Sequence, residues 1–183
     1  MRSVWHSGGV SKRTGILSTL LGLFRPSRAA TTLRAEARTP GSGVRADVET
    51  VEIDPPPRRA LRITYSPSID GDPDAGEIVW TWVPYAERDG RGKDRPVLVI
   101  GRESAERVYA VRLTSRSHEG ERDFLALGSG PWDAQGRPSW IDIDQLYSVH
   151  VGGMRREASA LDLNRFVLVA DALHRRYGWE VGA

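Results

Sequence analysis

From Gly76 onward the order of apolar and polar residues predicts short strands separated by frequent turns. Residues Ile78 to Val83 alternate, with Ile78, Trp80 and Trp82 on one face and Val79, Thr81 and Val83 on the other, and Pro84 ends the run. Val97-Leu98-Val99-Ile100 is a continuous apolar run, the pattern of a strand buried on both faces. Arg107 to Leu113 alternates again, with Tyr109, Val111 and Leu113 sharing a face. Phe124–Leu127 and Trp140–Ile143 are further short strands, bounded by the turn-forming Gly128-Ser129-Gly130-Pro131 and Gly136-Arg137-Pro138. The period then changes. Asp162 can cap a helix in which Phe166, Ala170, Leu173 and Tyr177 form one apolar face, and Gly178 can stop it. No crossover helices separate the strands, so the pattern predicts a mainly β fold, a small barrel with one C-terminal helix, over residues 76–183.

Upstream the texture differs. Residues 46–75 hold Pro55-Pro56-Pro57, an alternating Leu61-Arg62-Ile63-Thr64-Tyr65 and the acidic turn Asp70-Gly71-Asp72-Pro73-Asp74, which read as a stiff linker, one possible edge strand and a turn. The acidic turn lacks the glycine position and the distant glutamate of a calcium loop. Residues 1–45 are rich in Ser, Thr, Gly and Arg and read as a disordered basic extension. Their apolar run, Gly15 to Phe24, is too short to cross a bilayer, and Arg25 and Arg28 stand where a secretion signal needs small neutral residues. A cytoplasmic protein without a membrane anchor is expected.

Composition sets the limits on chemistry. With 183 residues the chain has room for one domain, and the absence of Cys removes disulfides, thiolate nucleophiles and zinc ribbons together. The net charge of +2 conceals an uneven distribution. Residues 1–45 carry eight Lys/Arg against Glu36 alone, which leaves the rest mildly acidic, so overall charge gives no support to nucleic-acid binding. His6, His118, His150 and His174 are not spaced as a metal set, and no phosphate-cradling glycine loop or nucleophile elbow occurs.

What remains is Arg95-Pro96 before the central apolar strand and Thr114 at the end of the next. An arginine at a strand entrance, followed by a rigid proline, offers a fork of donors that stays charged at any working pH and suits a phosphodiester gaining negative charge. A neighbouring threonine hydroxyl could orient the same group. The structural alternative is that Arg95 pairs with Asp94 or Glu77 at a barrel rim and that Thr114 simply suits a strand end. The tryptophans could stack bases or, as is more usual in a small barrel, fill the core.

The ordered motifs Gly76-Glu77-Ile78-Val79-Trp80, Arg95-Pro96-Val97-Leu98-Val99-Ile100, Leu113-Thr114-Ser115 and Ile141-Asp142-Ile143-Asp144-Gln145-Leu146-Tyr147-Ser148-Val149 together resemble the PemK/MazF family of type II toxins over residues 76–179. The resemblance implies an SH3-like barrel and metal-independent cleavage of single-stranded RNA, in which the ribose 2′-OH attacks the phosphate without a cofactor. It also implies a homodimer and an antitoxin whose acidic segment lies beside the Tyr85–Asp94 loop. In such an enzyme Arg95 would stabilise the phosphorane and protonate the leaving oxygen, Thr114 would position the phosphate, and His118 would be the nearest acceptor for the 2′-OH proton. Arg91, Lys93, Ser115 and Arg116 would contact RNA. The chain departs from the family pattern at Gly90, where relatives often carry Glu, and at Arg116, where they often carry Gln. A non-catalytic barrel that binds nucleic acid or a peptide is the alternative reading.

Overall fold

The computed structural model describes residues 48–68, 70–87 and 89–182, with only the backbone at 156–158. The basic extension expected over 1–45 lies outside the described residues. The strands are β1 (Val51–Ile53), β2 (Arg62–Ile63), β3 (Glu77–Pro84), β4 (Gly92–Arg102), β5 (Arg107–Thr114), β6 (Phe124–Gly128), β7 (Ser139–His150), β8 (Met154–Ala160) and β9 (Glu180–Val181), with one α-helix, α1 (Leu163–Tyr177), before β9. Seven of them form an antiparallel sheet in the order β1-β7-β5-β4-β3-β8, with β6 also on β7. β2 pairs in parallel with β9.

Both faces of this sheet are buried, which explains the continuous apolar run in β4. Leu98 and Ile100 face one core, shared with Ile78, Leu113, Ile141, Leu146 and the inner side of α1 through Phe166, Val169 and Leu173. Val97 and Val99 face a second core with Val79, Val83, Val108, Ala110, Tyr147 and Val149. Among the described residues no helix covers that second face, and the sheet curls over it. Its two ends meet where Thr50 Oγ1 lies 2.9 Å from Thr81 Oγ1 and Thr81 Oγ1 donates to the Gly153 carbonyl at 3.2 Å. A Cβ at Gly153 would stand 2.5 Å from the Val48 carbonyl oxygen, so a side chain there would force the seam apart. The sheet thus has the curl of the expected barrel but is not closed into one: side chains and close backbone approach bring its edges together, with no ladder joining β1 to β8.

α1 follows its sequence signals. The Asp162 side chain accepts from the Arg165 N–H at 3.0 Å, and the Gly178 N–H donates to His174 at the other end. Residues 48–68, by contrast, are more than a linker. They contribute β1 to the main sheet and β2 to the small one, and they bury Leu61 and Ile63 in the core under α1. Tyr65 Oη donates to the Leu161 carbonyl at 2.8 Å, and Trp179 Nε1 donates to the Pro56 carbonyl at 3.0 Å. Trp179 and Trp132 are core residues, whereas Trp80, Trp82 and Trp140 are half-buried.

The acidic turn before β3 has a structural use. The Asp74 N–H donates to Glu77 Oε2 at 3.2 Å, and the Glu77 N–H donates to the Asp74 carbonyl at 3.1 Å, which locks the entrance to β3. Glu77 is only 4% exposed, and burial pushes its carboxyl above the ordinary glutamate range. A carboxyl raised in the folded state favours folding when protonated, so its contribution weakens as pH rises from the unfolded value of 4.5 through the raised one. Glu77→Gln keeps an oxygen for the Asp74 N–H and removes the buried charge. Its melting temperature should exceed that of the wild type by a few degrees at pH 7, and the gap should close towards pH 4. A gap that widens in acid would refute this reading.

Candidate functional site

The hairpin between β3 and β4 pairs as far as Pro84 with Gly92, and the Tyr85 N–H closes the loop on the Arg91 carbonyl at 3.0 Å. Arg95-Pro96 thus lies inside β4, opposite Thr81 and Trp80, and not at the strand's mouth as the sequence suggests. The reason is that Gly92, Lys93 and Asp94, polar and loop-like in sequence, still complete the ladder with β3. On the other edge, pairing between β4 and β5 stops at Val97 with Arg112, immediately before Pro96, which has no N–H to extend it. Strand alternation sets Arg95 on the same face as Lys93, Val97 and Val99, at the rim of the second core.

At this rim lies a cleft of about 290 Å³ lined by Tyr85, Glu87, Arg91, Arg112, Gln145 and Tyr147, among others. Arg95 is half-buried next to it, within electrostatic reach of Arg112, Tyr85 and Tyr147. Among the described residues its guanidinium has no carboxylate partner and no hydrogen bond. The rim-pin alternative fails on this point, because Asp94 pairs with Arg155 at 2.8 Å and Glu77 is engaged at the acidic turn. Burial, then the like charge of Arg112, pulls the Arg95 pKa below its usual value, yet an arginine so placed stays protonated at neutral pH. A half-buried cation with unused donors is a site for an anion.

Arg112 is held differently. Its Nε and Nη2 both donate to Asp142 Oδ2, at 2.9 and 2.7 Å, and Asp142 is only 2% exposed. The pairing of β5 with β7 shifts between Val111 and Leu113, which bulges residues 142–145 away from the ladder. Asp142 Oδ1 stabilises that bulge by accepting from the N–H groups of Asp144 at 3.0 Å and Gln145 at 3.3 Å. α1 braces it from outside, where Tyr177 Oη donates to the carbonyls of Ile143 and Asp144 and Arg176 pairs with Asp144 and Asp123. The bulge in turn aims Gln145 and Tyr147 at the cleft. Tyr147 Oη donates to Gln145 Oε1 at 3.0 Å, and burial pushes this phenol up to about 12, so it remains a neutral donor.

Thr114 ends β5 opposite Trp140. Its Oγ1 accepts from the Arg116 N–H at 3.2 Å, which leaves the hydroxyl proton available to a ligand. Ser115 and Arg116 are exposed. His118 stacks on Phe124 with ring centroids 3.6 Å apart, and its Nδ1 lies 3.0 Å from Glu121 Oε2. Lys93 is exposed on β4, and Arg91 on the loop pairs with Asp89 at 2.6 Å. Of the residues expected to contact RNA, Arg91 lines the cleft, with Arg95 beside it. Thr114, Ser115, Arg116 and His118 lie on the β5 exit, and no hydrogen bond joins Arg95, Thr114 and His118 among the described residues. Sequence reasoning passed over Asp142, Gln145 and Tyr147 as site residues. The available signal was Asp142 itself, a charge between Ile141 and Ile143 in an apolar strand.

Residues 74–176 match the family described as PemK-like, MazF-like toxin of type II toxin–antitoxin system. Among solved structures, an endoribonuclease in complex with its cognate antitoxin from a mycobacterial species shares 16% identity, with 57% of this chain and 93% of that one covered and a TM-score of 0.44. MazE–MazF from Deinococcus radiodurans shares 22% identity over 58% of this chain and 96% of the other, with a TM-score of 0.42. The Mycobacterium tuberculosis toxin MazF-mt6 shares 17% identity over 56% and 98%, with a TM-score of 0.40. No curated protein matches. The family match spans more than half of the sequence, from the acidic turn through the helix that braces the cleft, and the chain belongs to the PemK-like, MazF-like toxins of type II toxin–antitoxin systems.

Proposed function

We propose that this protein is an endoribonuclease that cuts single-stranded RNA by attack of a ribose 2′-OH on the adjacent phosphate, and that a cognate antitoxin restrains it. The observation that carries the reading is Arg95, a half-buried guanidinium with no carboxylate partner among the described residues, next to a cleft at the barrel rim. In the reaction the 2′ oxygen bonds to phosphorus, the bond to the 5′ oxygen breaks, and that oxygen leaves with a proton from the Arg95 guanidinium, which solvent water restores. Arg95 neutralises the charge that builds on the phosphorane, and the Thr114 hydroxyl donates to the phosphate. His118 takes the 2′-OH proton. The Glu121 carboxylate oxygen 3.0 Å from Nδ1 favours the tautomer with its proton there, which leaves Nε2 to accept. Arg91, Lys93, Ser115 and Arg116 contact the flanking backbone. The antitoxin covers the same rim with an acidic segment, and the active protein is a homodimer.

Because the charge comes from arginine, the reaction needs no metal. The test is to incubate purified protein with a long single-stranded RNA in EDTA and to examine the fragment ends. Discrete products with 2′,3′-cyclic phosphate and 5′-hydroxyl termini are expected. Binding without cleavage would replace this reading by the non-catalytic barrel, and cleavage abolished by EDTA would remove the metal-free mechanism.

A further inference from the structure

We infer that Arg112, fixed by Asp142, is a second phosphate-contacting guanidinium of the cleft, so that the RNA backbone is gripped by two arginines of different rigidity. The inference rests on the RNA reading above and adds to it a residue outside its catalytic set.

Arg112 lines the cleft and keeps 24% of its side chain exposed, whereas Asp142 keeps 3%. Both bonds to the carboxylate use Nε and Nη2 on a single oxygen, Oδ2. A guanidinium has five N–H donors, and among the described residues only Asp142 engages them, so Nη1 and the second Nη2 proton remain available. Asp142 has less freedom, since its other oxygen is committed to the Asp144 and Gln145 N–H groups. The carboxylate therefore orients Arg112 with backbone precision from a bulge that α1 braces, and this pre-organises the free donors at little entropic cost on binding. A buried pair kept only for strength would be an inefficient choice, because apolar residues of similar size usually serve a core as well.

The placement matters for Arg95 too. Two like charges share one rim, and the effect of Arg112 on Arg95 is repulsive. Asp142 offsets one of those charges, so both arginines can stand together before a ligand arrives, and a dianionic phosphorane or two adjacent phosphates would engage both. Arg112 thus supplies grip and register on the substrate, with Asp142 as its positioning residue.

The experiment uses the full chain and a 2′-O-methyl RNA oligonucleotide, which cannot be cut, with affinity measured across salt concentrations. The double variant Arg112→Leu/Asp142→Asn removes the guanidinium without leaving a buried carboxylate alone, keeps an oxygen for the Asp144 and Gln145 N–H groups, and should melt close to the wild type. It should bind about tenfold more weakly, as expected for loss of a charged hydrogen-bonded contact, and the slope of log affinity against log salt should fall by about 0.7. Cleavage of ordinary RNA should show the loss mainly in KM. A folded double variant with wild-type affinity and slope overturns the inference while leaving the nuclease reading intact. If the double variant melts early, the unmutated protein decides: the Arg112 guanidinium N–H resonances must shift when the oligonucleotide is added, and their invariance overturns it equally. A wild-type protein that neither binds nor cuts RNA would overturn the parent reading and this one with it.

Discussion

Arg95→Ala is expected to slow RNA cleavage at least about a hundredfold, the loss typical of a donor that meets charge developing in the transition state. Stability should be nearly unchanged. Among the described residues the side chain has no ion pair or hydrogen bond to lose, and its removal relieves both a desolvated charge and the repulsion from Arg112. This combination separates a catalytic arginine from a structural one, whose loss would lower the melting temperature first and the activity only as a consequence. Arg95→Lys should fall between, because a point charge on a flexible stem replaces a planar fork. Measuring kcat/KM on one RNA beside thermal melts of all three proteins checks the claim. An Arg95→Ala protein that melts normally and cuts at the wild-type rate would refute the mechanism.

The parts of this site that were legible in the sequence are those fixed by local pattern. Alternation placed β3 and β5 to within a residue at each end, the apolar run located the middle of β4 but not its start, and Asp162 and Gly178 bounded α1, because each of these signals is written within one element. Arg95 stood out for a related reason, since Pro96 marks it and the ladder with β5 ends there. What was not legible depends on register between distant strands. The bulge at 142–145 exists only because β5 and β7 pair on both sides of it with different offsets, and nothing local to Ile141–Leu146 announces that shift. Arg112 and Asp142 lie thirty residues apart in sequence, and only the fold shows that they meet.

Residues 46–75 illustrate the same limit at the scale of an element. Three prolines and strands of three and two residues carry too little pattern to distinguish a packed segment from a linker. The information that decides between them sits at the other end of the chain, in β9 and in Trp179, the large indole that closes the core behind Tyr177.

Trp179→Ala is accordingly the stability change with the largest expected effect. The indole is fully buried, stacks on Tyr177 with ring centroids 4.3 Å apart, and donates to the Pro56 carbonyl at 3.0 Å. Truncation removes that packing, leaves a cavity and orphans a carbonyl, which together should cost about 3–5 kcal/mol. For a domain of this size the melting temperature should drop by roughly 2–4 °C per kcal/mol, provided unfolding stays two-state. The damage should spread to the site. Tyr177 and Arg176 brace the bulge that holds Asp142, so a loosened Tyr177 frees Gln145 and Tyr147 as well as the strand pair β2–β9. Trp179→Phe keeps most of the apolar contact and loses only the N–H, so it should cost about 1–3 kcal/mol, the penalty for leaving a polar partner unsatisfied. Thermal melts of the two variants, with amide exchange read at Leu61–Ile63 and at Asp144–Gln145, test both steps. Equal melting of Trp179→Ala and wild type would show that the upstream segment is not anchored through this residue, while faster exchange at 61–63 without any change at 144–145 would show that the anchor and the cleft are mechanically separate.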